Sequence, residues 1–498
     1  MEIWYLKSAC GYATMVYKFL HKARLIIMAK SGKIIKTIIA IIVVLVTVAG
    51  TVAGASFYLY KNKKTIIILP GLMASALYDT ETGNGVWDPF YDIDLHFSTF
   101  INDEGINLGS ILPLIAKQSI RDELAKLFDN DFHGAPDSLM NLIAMNEDGS
   151  PKNPNVQPVP WENETRLRYG VINAQTEMQK AYEEAYGKEY VVQVFNYDFR
   201  IDNRVSAARL EEFINKKGYD EVILVAHSNG GQVASCYLAK EENRKKVSKY
   251  ISYSVPYFGS FSAITQLENI DNMLNALIGS LGEGSLADNL EQVFQNQFLS
   301  LLYMWTPYQL LPTFDYINAD NIGGKAEIIV DGEPLSFANE EELYEFYCSR
   351  PWAKMSNGEL RPAMVQWLDY VNAIKVTLPN GEKVLSPTLV DTTYINGVGV
   401  ETLIKVYYDS DGEGGLVLTD EEVKSTYGDG TVSYYTAIGG ENDASKIRLM
   451  EGVNHYGVNG FFVASVQEDS FEVMDAYLES RSAKWYDLAG RLLSSIIE

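Results

Sequence analysis

Cysteine, histidine and basic charge are all scarce in this chain of 498 residues. Three cysteines (Cys10, Cys236, Cys348) cannot build a disulfide framework. Five histidines, with no His-Glu-x-x-His pattern among them, argue against a zinc hydrolase. Lys and Arg number 41 against 65 Asp and Glu, a formal charge of −24. That balance argues against a nucleic-acid partner, because phosphate binding needs a basic face. Internal repeats and low-complexity tracts are also missing. What remains is 47% hydrophobic and 21% charged, the composition of a globular chain with ample material for a core. At roughly 150 residues per domain, the length suits about three domains or one large α/β domain with insertions.

The charge is unevenly distributed. Residues 1–64 hold ten basic residues and one acid, Glu2, and carry +9, whereas the rest of the chain carries −33. The change coincides with an uncharged run of 24 residues, Thr37–Tyr60, fenced by Lys30, Lys33 and Lys36 before it and Lys61, Lys63 and Lys64 after it. A run of this length is sufficient to span a bilayer, and its length favours a signal anchor over a cleaved signal peptide. The competing reading is cleavage after Ala53-Gly54-Ala55 and secretion. The upstream Lys22 and Arg24 place the N-terminus in the cytoplasm and the bulk of the chain outside it. Residues 1–36 form a basic segment, in which Met28 resembles a natural start.

Beyond this segment, short β-branched runs alternate with helical patterns. Strands are expected at Thr65–Leu69, Tyr190–Phe195, Glu221–Ala226, Tyr250–Val255, Thr392–Asn396 and Lys446–Met450. Helices are expected at Gln175–Tyr186, Val205–Lys217 and Gly231–Glu241, with two more at Phe471–Glu479 and Ala483–Ile497. Near-continuous apolar strands belong to a sheet covered on both faces, and βα alternation makes that sheet parallel and doubly wound. Two stretches break the alternation. Residues 82–165 are rich in Asn, Asp, Gly and Pro around a helical patch near Ile120–Phe128, and residues 260–390 mix apolar helical segments with a polar region. Stretches of this length in a compact fold are lids or insertions.

The strongest chemical signal is Ala226-His227-Ser228-Asn229-Gly230-Gly231, which follows one expected strand and opens a helix. A nucleophilic serine needs that strand-to-helix turn, and small residues such as Ala226 and Gly230 on either side of it. The bland alternative is a turn that happens to carry serine. A hydroxyl also needs a base. Only His455 follows Ser228 in the chain, and it lies just after the last expected strand. His227 adjoins the serine and is expected to point away from it, while His21, His96 and His133 lie upstream. The acid should fall between Ser228 and His455. Asp429, between Gly428 and Gly430, is the choice over Asp409 and Asp411, although Asp-Gly is also ordinary turn chemistry. Two backbone N–H groups should form an oxyanion hole, one from Asn229 and one from Leu72 in the Pro-Gly-Leu-Met loop after the first strand.

These segments, in this order, resemble the lecithin:cholesterol acyltransferase family, which includes lysosomal phospholipase A2 and the phospholipid:diacylglycerol acyltransferases. The resemblance runs over about residues 65–460. It rests on Ile66–Ser75, on Asn196–Arg200 (Asn-Tyr-Asp-Phe-Arg, with Phe199 where the family has Trp), on Val222–Gly231, on Ser254–Ser260 and on Thr306–Pro312. Tyr394–Thr402, Tyr427–Val432 and Gly452–Val458 complete the set. The resemblance implies an α/β-hydrolase fold, mostly parallel and doubly wound, with a membrane-binding insertion and a cap, to which the run at 37–60 adds an N-terminal transmembrane helix. The core would be 65–260 and 391–498, with a lid in 82–165 and a cap in 261–390. It raises Asp429 above its rivals and implies that Asp198 and Arg200 support the site. Two departures stand out. Asn229 replaces the usual apolar residue after the serine, and no cysteine lies between Cys10 and Cys236 to close a lid.

The expected activity is that of a serine esterase or O-acyltransferase. It would cleave an acyl ester of a lipid, a phospholipid above all, and pass the acyl group to an alcohol or to water at a membrane. No metal and no organic cofactor is implied. The rival readings are a secreted esterase on non-lipid esters and a non-catalytic α/β-hydrolase-fold binding protein.

Overall fold

Six of the apolar runs assemble into one parallel sheet in the computed structural model. The structure describes residues 64–87, 143–158, 173–268, 303–459 and 464–497, except 82, 84, 318, 320–322 and 413, together with short strands at 101–102 and 105–106. The expected anchor at 37–60, most of the expected lid, the patch near 120–128 and His21, His96 and His133 lie outside the described residues. Among the described residues, no helix is long and apolar enough to cross a membrane.

The sheet strands are β1 (Lys64–Leu69), β2 (Tyr190–Val194), β3 (Val222–His227), β4 (Val247–Tyr253), β5 (Thr392–Val398) and β6 (Ile447–Glu451). Their spatial order is β6-β5-β4-β3-β1-β2, and every neighbouring pair is parallel. Each of the six expected strands appears, shifted at its ends by no more than a few residues. The apolar alternation explains why both faces are covered. Ile67 and Leu69 of β1, with Leu224 and Ala226 of β3, pack into one cluster. Ile66 and Ile68, with Ile223 and Val225, pack into the other. Successive side chains on a strand point to opposite faces, so an unbroken apolar run needs helices on both.

Those helices are α1 (Asn173–Tyr186), α2 (Asn203–Lys217), α3 (Asn229–Leu238) and α4 (Ala464–Ile497). Met178, Tyr182 and Tyr186 of α1 share one face of the sheet with Val466, Val473, Met474 and Tyr477 of α4. Leu210, Phe213 and Ile214 of α2 cover the other face with Val233, Ala234 and Leu238 of α3. Helix α2 begins at Asp202, whose carboxylate accepts from Arg204 N–H, and ends at Gly218 in the left-handed region. The two C-terminal helices expected at Phe471–Glu479 and Ala483–Ile497 are instead one helix, α4. The Ser-Arg-Ser-Ala stretch between them contains no Gly or Pro, so nothing there breaks a helix.

A second sheet lies between β4 and β6 in the chain. It joins Glu333–Pro334, Glu327–Val330, Thr402–Ser410 and Leu416–Ser425, in that spatial order. It therefore draws strands from both sides of residue 390. Helices Glu340–Ser349 and Trp367–Ala373 pack nearby, with Leu343, Tyr347 and Trp367 in the same cluster as α2 and α3. This arrangement is an α/β-hydrolase fold. A parallel sheet carries the helices on both faces, and a smaller body is inserted between its strands.

Candidate active site

The strand order brings Asp429 and His455 together from distant parts of the chain and sets His227, the residue before Ser228, against His455. Ser228 follows β3, Asp429 follows the second sheet, and His455 follows β6. In open parallel sheets, ligands bind beyond the carboxyl ends of the strands.

Ser228 has φ 51° and ψ −126°, outside the regions a residue with a Cβ prefers. Its N–H donates to the carbonyl of Tyr253 at the end of β4, and its carbonyl accepts from Gly231 N–H. The turn is compressed from both sides. A Cβ on Gly230 would press into the carbonyl oxygens of Leu69 and Pro70, and one on Gly231 would run into Val255. Small residues here are thus a requirement of backbone packing. Ala226 is fully buried directly before the turn.

Asp429 and His455 form a buried pair, Oδ2 to Nδ1, at 2.7 Å. Asp429 is 1% exposed, His455 5% and Ser228 8%. The other carboxylate oxygen, Oδ1, accepts from the N–H groups of Thr431 (3.0 Å) and Val432 (2.7 Å). The His455 N–H donates to the Asp429 carbonyl at 2.8 Å, so backbone and side chain fix the same two residues. Glycines allow this closeness. A Cβ on Gly397 in β5 would meet Asp429 Cβ at 2.8 Å, and Gly430 holds φ 94° just after the acid. An ionised carboxylate only accepts, so Nδ1 carries the ring proton and Nε2 is left with its lone pair. Asp409 and Asp411 lie elsewhere, on the exposed hairpin of the second sheet.

His227 does not leave the site. Its ring centroid is 4.7 Å from that of His455, and its Nε2 donates to the His455 carbonyl at 3.0 Å. Strand alternation puts His227 on the same face as Val225, which packs with Val453 and Val458 on either side of His455. Burial, and then the neighbouring His455, hold the His227 imidazole well below its ordinary pKa, so it is neutral. Its Nδ1 is buried without a hydrogen-bond partner. A Cβ on Gly71 would lie 2.7 Å from that atom and 3.3 Å from Ser228 Cβ. The His227 bond ties the segment after β6 directly to the end of β3.

The loop carrying Leu72 is a tight turn. Ala74 N–H donates to the Gly71 carbonyl at 3.2 Å, and Met73 has φ 60°. Leu72 and Met73 are its two central residues. Asn229 is the first residue of α3, so its N–H has no partner within the helix. The segment Asn196–Arg200 braces this loop from behind. Asn196 Oδ1 accepts from Ala76 N–H, and Ser75 Oγ accepts from Tyr197 N–H. Arg200 is fully buried and pairs with Asp198 through Nε (2.9 Å) and Nη2 (2.8 Å). It also donates to the carbonyls of Ile143 and Val156. The Asp-Arg pair therefore fastens residues 143–158 to the core close to the loop. Among the described residues, no group of three or more His, Cys, Asp or Glu side chains could hold a metal ion.

A serine on a strained turn, with an imidazole oriented by a buried carboxylate, has the parts for acyl transfer through a covalent intermediate. Residues 170–344 match the model of the family described as lecithin:cholesterol acyltransferase. A curated relative, phospholipase A(1) LCAT3 of Arabidopsis thaliana, is 30% identical over 125 residues, 24% of this chain and 24% of that protein. The matched part thus spans about a quarter of that relative's length. Among solved structures, the Tle4–Tli4 complex aligns with 81% of this chain and 96% of its own, at 14% identity and a TM-score of 0.43. The mature lipase BlEst2 of Bacillus licheniformis aligns with 60% of this chain and 86% of its own, at 15% identity and a TM-score of 0.26. From just before α1, through the Ser228 turn and into the inserted body, this chain carries the sequence pattern of the lecithin:cholesterol acyltransferase family.

Proposed function

We propose that this protein is a serine lipase or acyltransferase that cleaves an acyl ester, with phospholipid as the acyl donor. The observation that carries the proposal is the buried Asp429–His455 pair beside the strained Ser228 turn. Family resemblance and the phospholipase relative support the lipid substrate.

In the proposed reaction, Ser228 Oγ attacks the ester carbonyl carbon while His455 Nε2 takes its proton. Asp429 holds the imidazole in the tautomer that can accept. The N–H groups of Asn229 and Leu72 receive the oxyanion of the tetrahedral intermediate. Collapse breaks the bond to the leaving alcohol, which takes the proton from His455 and departs. The acyl group is now on Ser228. Water or an acceptor alcohol then attacks, giving up its proton to His455, and the second collapse frees the product and returns the proton to Ser228. Transfer wins over hydrolysis where the lid and cap exclude water. Residues 82–165 and 261–390 are assigned those two roles. The proposal places the protein at a membrane, held by residues 37–60 or released by cleavage after Ala55.

Full-length protein, wild type and Ser228→Ala, would be given labelled phosphatidylcholine with a long-chain alcohol, and fatty acid and acyl ester measured together. Product lost in Ser228→Ala supports the reading, and the ratio of the two products separates hydrolase from transferase. Folded wild-type protein that releases nothing from phospholipid or from p-nitrophenyl esters would favour a binding protein. Turnover of p-nitrophenyl esters alone would favour an esterase on non-lipid substrates.

A further inference from the structure

The two donors expected to receive the oxyanion come from chain segments far apart in sequence, so something must fix their separation. Leu72 sits in the turn after β1, and Asn229 opens α3. One buried side-chain bridge joins them. The Tyr197 hydroxyl donates to the Pro70 carbonyl at 2.8 Å and accepts from Asn229 Nδ2 at 3.1 Å. Asn229 is further held by a reciprocal amide pair. Its Nδ2 donates to Asn203 Oδ1 at 3.1 Å, and its Oδ1 accepts from Asn203 Nδ2 at 2.9 Å. Tyr197, Asn203 and Asn229 are all fully buried. Asn203 N–H in turn donates to Gln309 Oε1, so the network reaches the segment before the inserted body.

We propose that Tyr197 and Asn229 are positioning residues that set the spacing of the oxyanion hole by bonding its two halves together. The inference rests on the acyl-transfer reading of the site. The chemistry of the bridge favours this role. Asn229 uses both amide protons and its oxygen, and the Tyr197 hydroxyl both donates and accepts, so neither group has a slack bond. Burial pushes the Tyr197 phenol up in pKa, which keeps its proton available to Pro70. The bridge also explains the departure at position 229. An apolar residue there would leave the Asn203 amide short of a donor and an acceptor in a buried site. A fixed hole needs no reorganisation as charge develops, and a displacement of about 1 Å costs on the order of 100-fold in rate.

The test uses full-length protein, Tyr197→Phe, Asn229→Leu and the double variant, with a short p-nitrophenyl ester as substrate. An alkyl boronic acid reports on the tetrahedral state, and the product fatty acid reports on ground-state binding. Each single variant is expected to lose about 10- to 100-fold in kcat with KM changed less than about threefold. Boronate affinity should fall by the same factor as kcat, and fatty-acid affinity should hold. The double variant should be no worse than the weaker single one, because the bridge is one unit. Should Tyr197→Phe not fold, Asn229→Leu carries the same comparison, since it keeps the Tyr197–Pro70 bond. The inference is overturned if a folded variant keeps kcat within about twofold of wild type, or if boronate and fatty-acid affinities fall together. Ser228→Ala that stays fully active would sink the underlying site reading instead.

Discussion

Replacing Asp429 by Asn probes the catalytic proposal at its most specific point. The two carboxylate oxygens face different partners. Oδ1 accepts from two backbone N–H groups, of Thr431 and Val432, while Oδ2 faces His455 Nδ1 at 2.7 Å. An asparagine must keep its oxygen on the two backbone donors, because turning its NH2 group toward them would set donor against donor. The NH2 group then faces Nδ1, which can only accept. The ring proton moves to Nε2, and Nε2 can no longer take the proton of Ser228. By this argument kcat falls about 10⁴-fold, about 5.5 kcal/mol in the barrier, with KM little changed. Thermal stability should shift little, since the backbone bonds and the side-chain shape are retained. Initial rates of p-nitrophenyl ester hydrolysis, measured beside the unfolding midpoint, decide the matter. A folded Asp429→Asn enzyme with kcat within about tenfold of wild type would refute the tautomer argument.

Three further outcomes follow from other contacts. Gly230→Ala drives a methyl into the Leu69 and Pro70 carbonyls, so it should cost about 1–3 kcal/mol in chemical denaturation and lower kcat by shifting the loop that carries Leu72. A variant of wild-type stability and rate would show that the turn is not compressed. His227→Phe keeps a ring against His455 but leaves the His455 carbonyl without its donor, which should cost about 1–3 kcal/mol of stability. The pH–rate profile should keep its shape, because the neutral His227 has no proton to release in the working range; a profile that moves would show that His227 titrates. Glu340, half-buried at the start of helix Glu340–Ser349, is pushed up to about 7, chiefly by loss of solvent, with its oxygen accepting from Phe314 N–H. Its folded pKa exceeds its unfolded one, so its contribution is full below about pH 4.5 and is lost as pH rises toward 7. Glu340→Gln should therefore gain on the wild type by up to about 3 kcal/mol above neutrality and match it in acid. Parallel stability curves from acid to alkali would contradict that assignment.

How much of this was legible beforehand depended on burial. Strands β1 and β3 are apolar at nearly every position because both faces are covered, and such runs stand out in a sequence. The hairpin Thr402–Ser410 and Leu416–Ser425 did not stand out. Its second strand is largely exposed, and Thr-Asp-Glu-Glu-Val-Lys reads as a polar loop until a partner strand is known. Ser228, Asp429 and His455 could be singled out because acyl-transfer chemistry demands those residue types in that chain order. That His227, on the same strand face as Val225, meets His455 could not be read, since it depends on where the segment after β6 comes to lie. Nor could the Tyr197–Asn229–Asn203 bridge, whose members are adjacent only after the sheet has formed. The one visible signal was Asn229 itself, a polar residue at a position the family keeps apolar.

The placement of Asp429 has a mechanical consequence. The strand Leu416–Ser425 belongs to the inserted body, and only Thr426, Tyr427 and Gly428 separate it from the acid. That link is clamped to the end of β5, where Gly399 N–H donates to Thr426 O and Val400 N–H donates to Gly428 O. The inserted sheet and the Asp429 carboxylate thus share one short link, anchored at the end of β5, so the acid's place depends on both bodies.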